Sequence, residues 1–392
     1  MHRTLARTLV ALTALTITAA ACSPSPVATA SSSNRPIVLG HGGHSRYKIA
    51  ATTTSTSTST TQVANPTTTV TSAPTVTTIP RPKVTTTTAA PAPTAAGTST
   101  PTSSQQTPRD PALWPFAVSS PFNTPIGSGA QFANDGDARS QAISGLSAYI
   151  NAGAWSQPIY VASTTDPVTT VDGSTFHIPA NAQPSLPAGG DQALNIIDPT
   201  HHYLDEMWSA TGSGSSWSAG FHVRTDLTGS GVDGGVRAAG VSEIGGLIRN
   251  WELYFGSIRH ALAMALPRAV QQSGSVWPAT SQDYDARSTY GGSIPVGTLF
   301  AIPPSVNINN LGLSPQGLVI AKALQQFGAY DLDSASDQAV FCAEPSAEGS
   351  IDAARADISS LVRLLRPVTN NSPSSVGGGG SPTTQVAPPL DR

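Results

Sequence analysis

Apolar and polar positions change their rhythm twice along the chain. Residues 9–21 are mostly apolar, residues 22–108 are mostly Thr, Ser, Pro and Ala, and apolar residues return in regular patterns from Arg109 to about Val368. Short β-branched and aromatic runs at 157–162, 168–171, 175–178, 193–198, 203–210 and 217–223 are separated by Asp-Pro, Asp-Gly and Gly/Ser punctuation, and predict strands. Helical spacing is rarer. Residues 137–151 carry Ile143, Leu146 and Ile150 behind a capping Asp137, and Ser314-Pro315 opens a stripe of Leu318, Ala321, Leu324 and Phe327. Residues 351–365 predict a further helix, and 241–254 a short one capped by Ser242 and ended by Gly256, with a strand over 258–266. There is no βαβ rhythm. The expectation is a mainly β fold, an antiparallel β-sandwich or jelly roll with a few peripheral helices, in one domain over 109–368.

The two flanks read differently. Arg3 and Arg7 precede an apolar stretch too short to span a bilayer comfortably, so 1–21 read as a signal peptide. Ala19-Ala20-Ala21 run directly into Cys22, which resembles a bacterial lipobox and makes Cys22 the expected lipidation site; the alternative is an ordinary secretory signal cut nearby. Residues 22–108 lack the apolar side chains needed to offset ordering entropy and are expected to form a disordered stalk. Residues 369–392, with Gly377 to Gly380, are expected to be a second disordered tail. Together these imply an exported protein, lipid-anchored to the outer face of the cell membrane or held in the cell wall, with no other contact with lipid. Two cysteines cannot supply a disulfide scaffold, so stability must come from a core.

Only 11% of residues are charged, which makes the stretch 238–262 stand out: it holds Glu243, Glu252, Arg249, Arg259, His260, Trp251 and Tyr254. Glu252 is placed at a helix end and His260 at the start of a strand, where an imidazole oriented by a carboxylate can move a proton near neutral pH. On the strand 203–210, Leu204, Glu206 and Trp208 share a face, and an acid beside an indole suits a sugar groove. Glu206, Glu252 and His260 are therefore the candidate catalytic groups. Trp208, Arg249, His222, Tyr330 and Asp331 are candidate substrate contacts, while Asp331 and Asp333 could instead bind a cation or cap a turn. No zinc spacing, EF-hand, P-loop, G-x-S-x-G or dinucleotide fingerprint occurs, so no metal or cofactor is expected. A formal net charge of -3 argues against a nucleic-acid partner.

Three stretches occur in an order that resembles exported bacterial proteins of no assigned activity. They are A-A-G-x(5)-G-L-I-R-x-x-E-x(3)-G-x-I-x-H-A-L over 238–262, I-D-x(7)-E-x-W-x-A over 197–210, and A-L-x-x-[FY]-G-x-Y-x-x-D over 323–333. The resemblance covers roughly 178–333, departs at Phe327 and Tyr330, and implies no catalytic residues. The function expected from the residues is action on a polysaccharide or cell-wall glycan by a monomer. The first form is a glycoside hydrolase using Glu206 and Glu252. The alternatives are a polysaccharide lyase with His260 as base and Tyr290 or Tyr330 as proton donor, a non-catalytic wall-binding module, and a display protein on a stalk.

Overall fold

Within Leu262–Pro267 large and small apolar side chains alternate, and that alternation layers the domain. Leu262, Met264 and Leu266 face one core with Ile320, Leu324, Ile358 and Leu361 from two helices. Ala263 and Ala265 face a second core with Phe116, Phe122, Leu204 and Leu247. The alanines let backbone approach closely: Ala263 N–H donates to the Gly246 carbonyl at 2.8 Å. The computed structural model describes residues 107–391, so the signal, Cys22 and nearly all of the expected stalk lie outside the described residues.

In chain order the elements are α1 (Ala138–Ser144), β1 (Ala148–Asn151), β2 (Ile159–Val161), β3 (Val168–Val171) and β4 (Ser174–His177). Next come β5 (Leu194–Ile197), β6 (Tyr203–Trp208), β7 (Thr211–Ser213), β8 (Ser216–Ser218), β9 (Phe221–Asp226) and α2 (Asn250–Phe255). Then follow β10 (Leu262–Pro267), β11 (Gln271–Ser275), α3 (Ala286–Thr289), β12 (Ile294–Val296) and β13 (Leu299–Ala301). The last are α4 (Pro315–Gln326), β14 (Ala329–Ala335), β15 (Ala339–Cys342), α5 (Asp352–Val362) and β16 (Arg366–Pro367). The described residues are mostly strand with few helices, in several sheets, and form no closed barrel.

The largest sheet has the order β1-β15-β10-β14-β13-β16, and a four-stranded sheet runs β2-β5-β6-β9. Helices α4 and α5 cover the leucine face of β10, while Ile197 and Leu204 from the four-stranded sheet reach the alanine face. A third core, with Phe176, Ile196, Met207 and Trp217, lies on the other side of that smaller sheet.

Several expectations are corrected. The large sheet is mixed: β1 with β15 and β10 with β14 pair in parallel, so the antiparallel pattern does not extend through it. The helix expected over 137–151 stops at Ser144, because the backbone turns at Gly145 and Ala148–Asn151 pair with β15 instead. Residues 241–249 form an irregular buried segment, and α2 begins only at Asn250. Ser242 caps no helix because its hydroxyl is bound to Glu206. The expected C-terminal tail is ordered through Asp391. Asn370 donates to the Gly129 and Gly378 carbonyls, Thr383 to Ile126, and Asp391 N–H to Arg109.

Candidate functional site

Glu206 sits in the middle of β6 with no exposed surface. One oxygen accepts from Thr225 Oγ1 at 2.8 Å and from the Ser242 hydroxyl at 2.5 Å; the other accepts from the Val236 and Glu243 amides at 3.1 and 2.9 Å. Burial raises its pKa to about 7, against the opposing pull of these donors. With four donors in place and no path to solvent, this carboxylate moors the segment 236–243 to the sheet and has no oxygen left for a substrate.

Glu252 and His260 do meet, at 3.0 Å between Oε1 and Nε2. Glu252 stands at the third position of α2, where its other oxygen accepts from the Arg249 amide in a capping arrangement, so it lies at the favourable helix start and not at the expected final turn. Burial alone would lower the His260 pKa, but the charge and hydrogen bond of Glu252 and the Ala261 carbonyl raise it above its ordinary value. Arg249 is paired with Glu344 at 2.7 Å. The cavity touching His260 and Arg249, walled by Trp114, Phe122 and Asn123, measures about 20 Å³. That volume holds about one water and excludes a sugar ring.

The remaining expected contacts separate. His222 and Arg224 both pair with Asp205, at 2.9 and 3.2 Å, and the His222 ring stacks on Phe176, so His222 belongs to the third core side of the small sheet. Tyr330 is buried in the second core with its ring edge-on to Phe122. Burial raises its pKa. Neither faces a groove with Glu206.

What the fold does assemble is a cluster of five carboxylates: Asp191, Glu243, Asp283, Asp331 and Asp333, none more than 6% exposed. Each comes from a different stretch of chain or a distinct turn of strand. Asp191 is held by the pairing of its carbonyl with Ser209 N–H and of Gln192 with Ala210 N–H. Glu243 lies on the segment moored by Glu206. Asp283 lies on a loop tied to the Ala239 carbonyl through the Thr280 and Ser281 amides. Asp331 and Asp333 flank a bulge in β14, where the register against β10 slips between Met264 and Ala265 and turns Asp333 opposite Ala265.

The cluster is only partly satisfied. Gln271 Nε2 bonds both Asp331 oxygens at 3.1 Å. Asp283 Oδ2 accepts from Tyr290 at 2.7 Å and pairs with Arg268 at 3.2 Å. By contrast, Asp191 Oδ2, Asp283 Oδ1, Asp333 Oδ2 and Arg237 Nε have no hydrogen-bond partner among the described residues. Desolvation, with the charges of Glu243 and Asp283, raises Asp191 to about pKa 8 despite the Trp208 hydrogen bond. Desolvation raises Glu243 against the pull of Arg237, and raises Asp331 and Asp333 well above the ordinary carboxylate range. Buried acids with unpaired oxygens are expensive to keep, and such expense concentrates at functional sites.

Aromatic side chains border this cluster. Trp208 Nε1 donates to Asp191 Oδ1 at 3.3 Å. The Trp155 ring lies over Gly190, where an added Cβ would come within 2.7 Å of it. Trp155, Gln192 and Ser209 all adopt positive φ (67°, 47° and 54°), so strained backbone surrounds Asp191. Of the candidate catalytic and substrate-contact residues, only Trp208 and Asp331 join this site. Asp191, Asp283 and Arg237 carried no periodic or motif signal, whereas Glu243 was named as part of the charged stretch 238–262 and Asp333 as a possible cation ligand or turn cap. Among the described residues, no group of three or more His, Cys, Asp or Glu side chains has metal-holding geometry.

No protein-family model matches the chain, and no curated protein or solved structure matches it. The functional argument therefore rests on the site itself.

Proposed function

We propose that this domain is a glycoside hydrolase acting on cell-surface polysaccharide, carried outside the membrane by a lipid on Cys22 and a Thr/Ser/Pro-rich stalk. The observation that carries the proposal is two unlike buried acids coupled through charge: Asp191, which accepts from Trp208 and whose raised pKa keeps its proton near neutrality, and Asp283, ion-paired with Arg268. Both retain an oxygen with no partner. Glycosidic cleavage requires one carboxyl group to give a proton and a second to meet the positive charge developing at the anomeric carbon.

On this reading the Asp191 proton passes to the leaving oxygen as the bond from it to the anomeric carbon breaks. Asp283, through its unpartnered Oδ1, either attacks that carbon or draws a proton from the attacking water. The water that completes hydrolysis supplies the hydroxyl to the sugar and restores the proton balance. Glu206 is a positioning residue, since the segment it moors carries Glu243 and Arg237. A lyase is disfavoured because its substrate carboxylate would need a cation in the site; Arg268 is committed to Asp283 and Asp285, and Arg237 is buried and donates to the Glu243 carbonyl.

The test is release of reducing ends from purified wall polysaccharide by the parent domain and by Asp191→Asn and Asp283→Asn. Loss in both variants with unchanged melting supports the proposal. No release by the parent, with saccharide binding retained, replaces it with a non-catalytic binding module.

A further inference from the structure

The charge balance around the acid cluster and the two tryptophans beside it carry a statement about substrate, and it rests on the glycan-cleaving proposal. We infer that the site takes a neutral saccharide, held against Trp155 and Trp208, and turns away uronate-bearing and other anionic glycans.

Four observations converge. Five carboxylates stand against two guanidinium groups, and the arginines are already engaged. Arg268 reaches Asp283, Asp285 and Ser334, while Arg237 donates to the Glu243 carbonyl and approaches Cys342 Sγ. The Arg237 Nε that lacks a partner is buried, with its residue at 2% exposure. Its field is spent on Glu243 and Asp333.

Secondly, the charge of Asp283 already disfavours the ionisation of Asp191, Asp331 and Asp333. An incoming carboxylate, sulfate or phosphate would add like charge in a desolvated place, where juxtaposed like charges cost several kcal/mol. Thirdly, the buried, unpartnered carboxylate oxygens of Asp191, Asp283 and Asp333 are acceptors, and sugar hydroxyls are donors. The ligand that fits acceptors without cations is a polyhydroxylated neutral ring. Fourthly, Trp155 and Trp208 are both partly exposed and both adjoin Asp191, through Gly190 and through the indole hydrogen bond. Their apolar faces suit the C–H face of a sugar, and Trp155 is thereby assigned as a specificity-determining residue outside the acid pair.

The experiment uses Asp283→Asn protein, which keeps its substrate uncut, and follows tryptophan fluorescence during titration. The probes are neutral hexo- and pento-oligosaccharides, each beside its counterpart oxidised at the primary hydroxyls to the uronate. Expected is binding of a neutral member with at least roughly tenfold weaker binding of its oxidised partner, a gap of about 1.4 kcal/mol. Trp155→Ala should weaken the neutral probe by roughly tenfold and Trp155→Phe should restore most of it. Equal or tighter binding of the uronate overturns the inference and leaves the glycan proposal standing. Absence of binding to every probe, in protein with an unchanged melt, overturns both.

Discussion

The Trp208 indole donates a hydrogen bond to Asp191 Oδ1 across 3.3 Å, which leaves Oδ2 of the same buried carboxyl without a partner. One oxygen fixes the orientation of the group and the other is left to act. Both residues precede a residue of positive φ, Gln192 and Ser209, whose backbones pair with the opposite segment and lock the contact.

Asp191→Asn should lower glycan cleavage by about 10²- to 10⁴-fold, the range for loss of a positioned proton donor. Its effect on stability should depend on pH in a defined sense. Asp191 has a folded pKa of about 8 against 3.8 for the ordinary group, so the folded state binds its proton more tightly. The stabilisation from that proton is fully present below 3.8 and is lost as pH rises through about 8. Denaturation curves should show the variant gaining on the parent as pH increases over this window. A constant difference across it would mean that Asp191 does not hold its proton in the fold.

Glu206→Ala should be among the most damaging single changes in the domain. It strips the acceptor from two hydroxyls and two amides at once. Leaving such donors buried and unbonded costs about 1–3 kcal/mol for each group that water cannot reach. Urea denaturation should register a loss of several kcal/mol, and cleavage should fall with it as Glu243 and Arg237 lose their seat. Retained stability would mean that water replaces the carboxylate.

The pair His260 and Glu252 should stabilise the fold and contribute nothing directly to chemistry. Because the folded pKa of His260 is raised, the extra stability is complete below the ordinary value of 6.5 and is lost as pH rises through the folded value. His260→Gln should therefore cost more stability at about pH 5.5 than at about pH 9, with cleavage little changed where the protein is folded. A large loss of turnover in a fully folded His260→Gln protein would return this pair to the candidate catalytic groups.

Gly246→Ala should destabilise strongly, which gives the double glycine of the 238–262 pattern a structural meaning. Gly246 has φ +74°, and an added Cβ would lie 2.5 Å from the Ala263 amide nitrogen. Backbone strain alone costs about 1 kcal/mol or more, and the close contact adds to it. A melt within a degree or two of the parent would show that the β10 edge yields more readily than its packing suggests.

Truncation after Val368 should lower the melting temperature. The removed residues supply carbonyl or side-chain partners to Arg109, Gly127, Gly129 and Ile126. Limited proteolysis should accordingly leave a fragment of about 107–391 that still contains the C-terminus. Rapid loss of residues beyond 369 would contradict these contacts.

Local pattern was enough to read the β-rich character and helix α4 with its Ser314 cap and Pro315 opening. It also brought Glu252 near His260, because only seven residues and one turn at Gly256 separate them. It failed where short-range signals competed with distant partners. Ser242 resembles a helix cap until Glu206, on strand β6, claims its hydroxyl. The glycines at 377–380 resemble a flexible tail until Gly127 and Gly129 accept them as neighbours. The acid cluster lay furthest from view. Asp191, Glu243 and Asp283 sit on loops with no periodicity, and Asp333 is aimed by a bulge that no spacing rule announces. An amino-acid sequence records periodicity and local capping, which are set within a turn or a strand. Which buried acids come to share one desolvated space is decided by long-range strand pairing and by the loops it brings together, and that was fixed only by the tertiary structure.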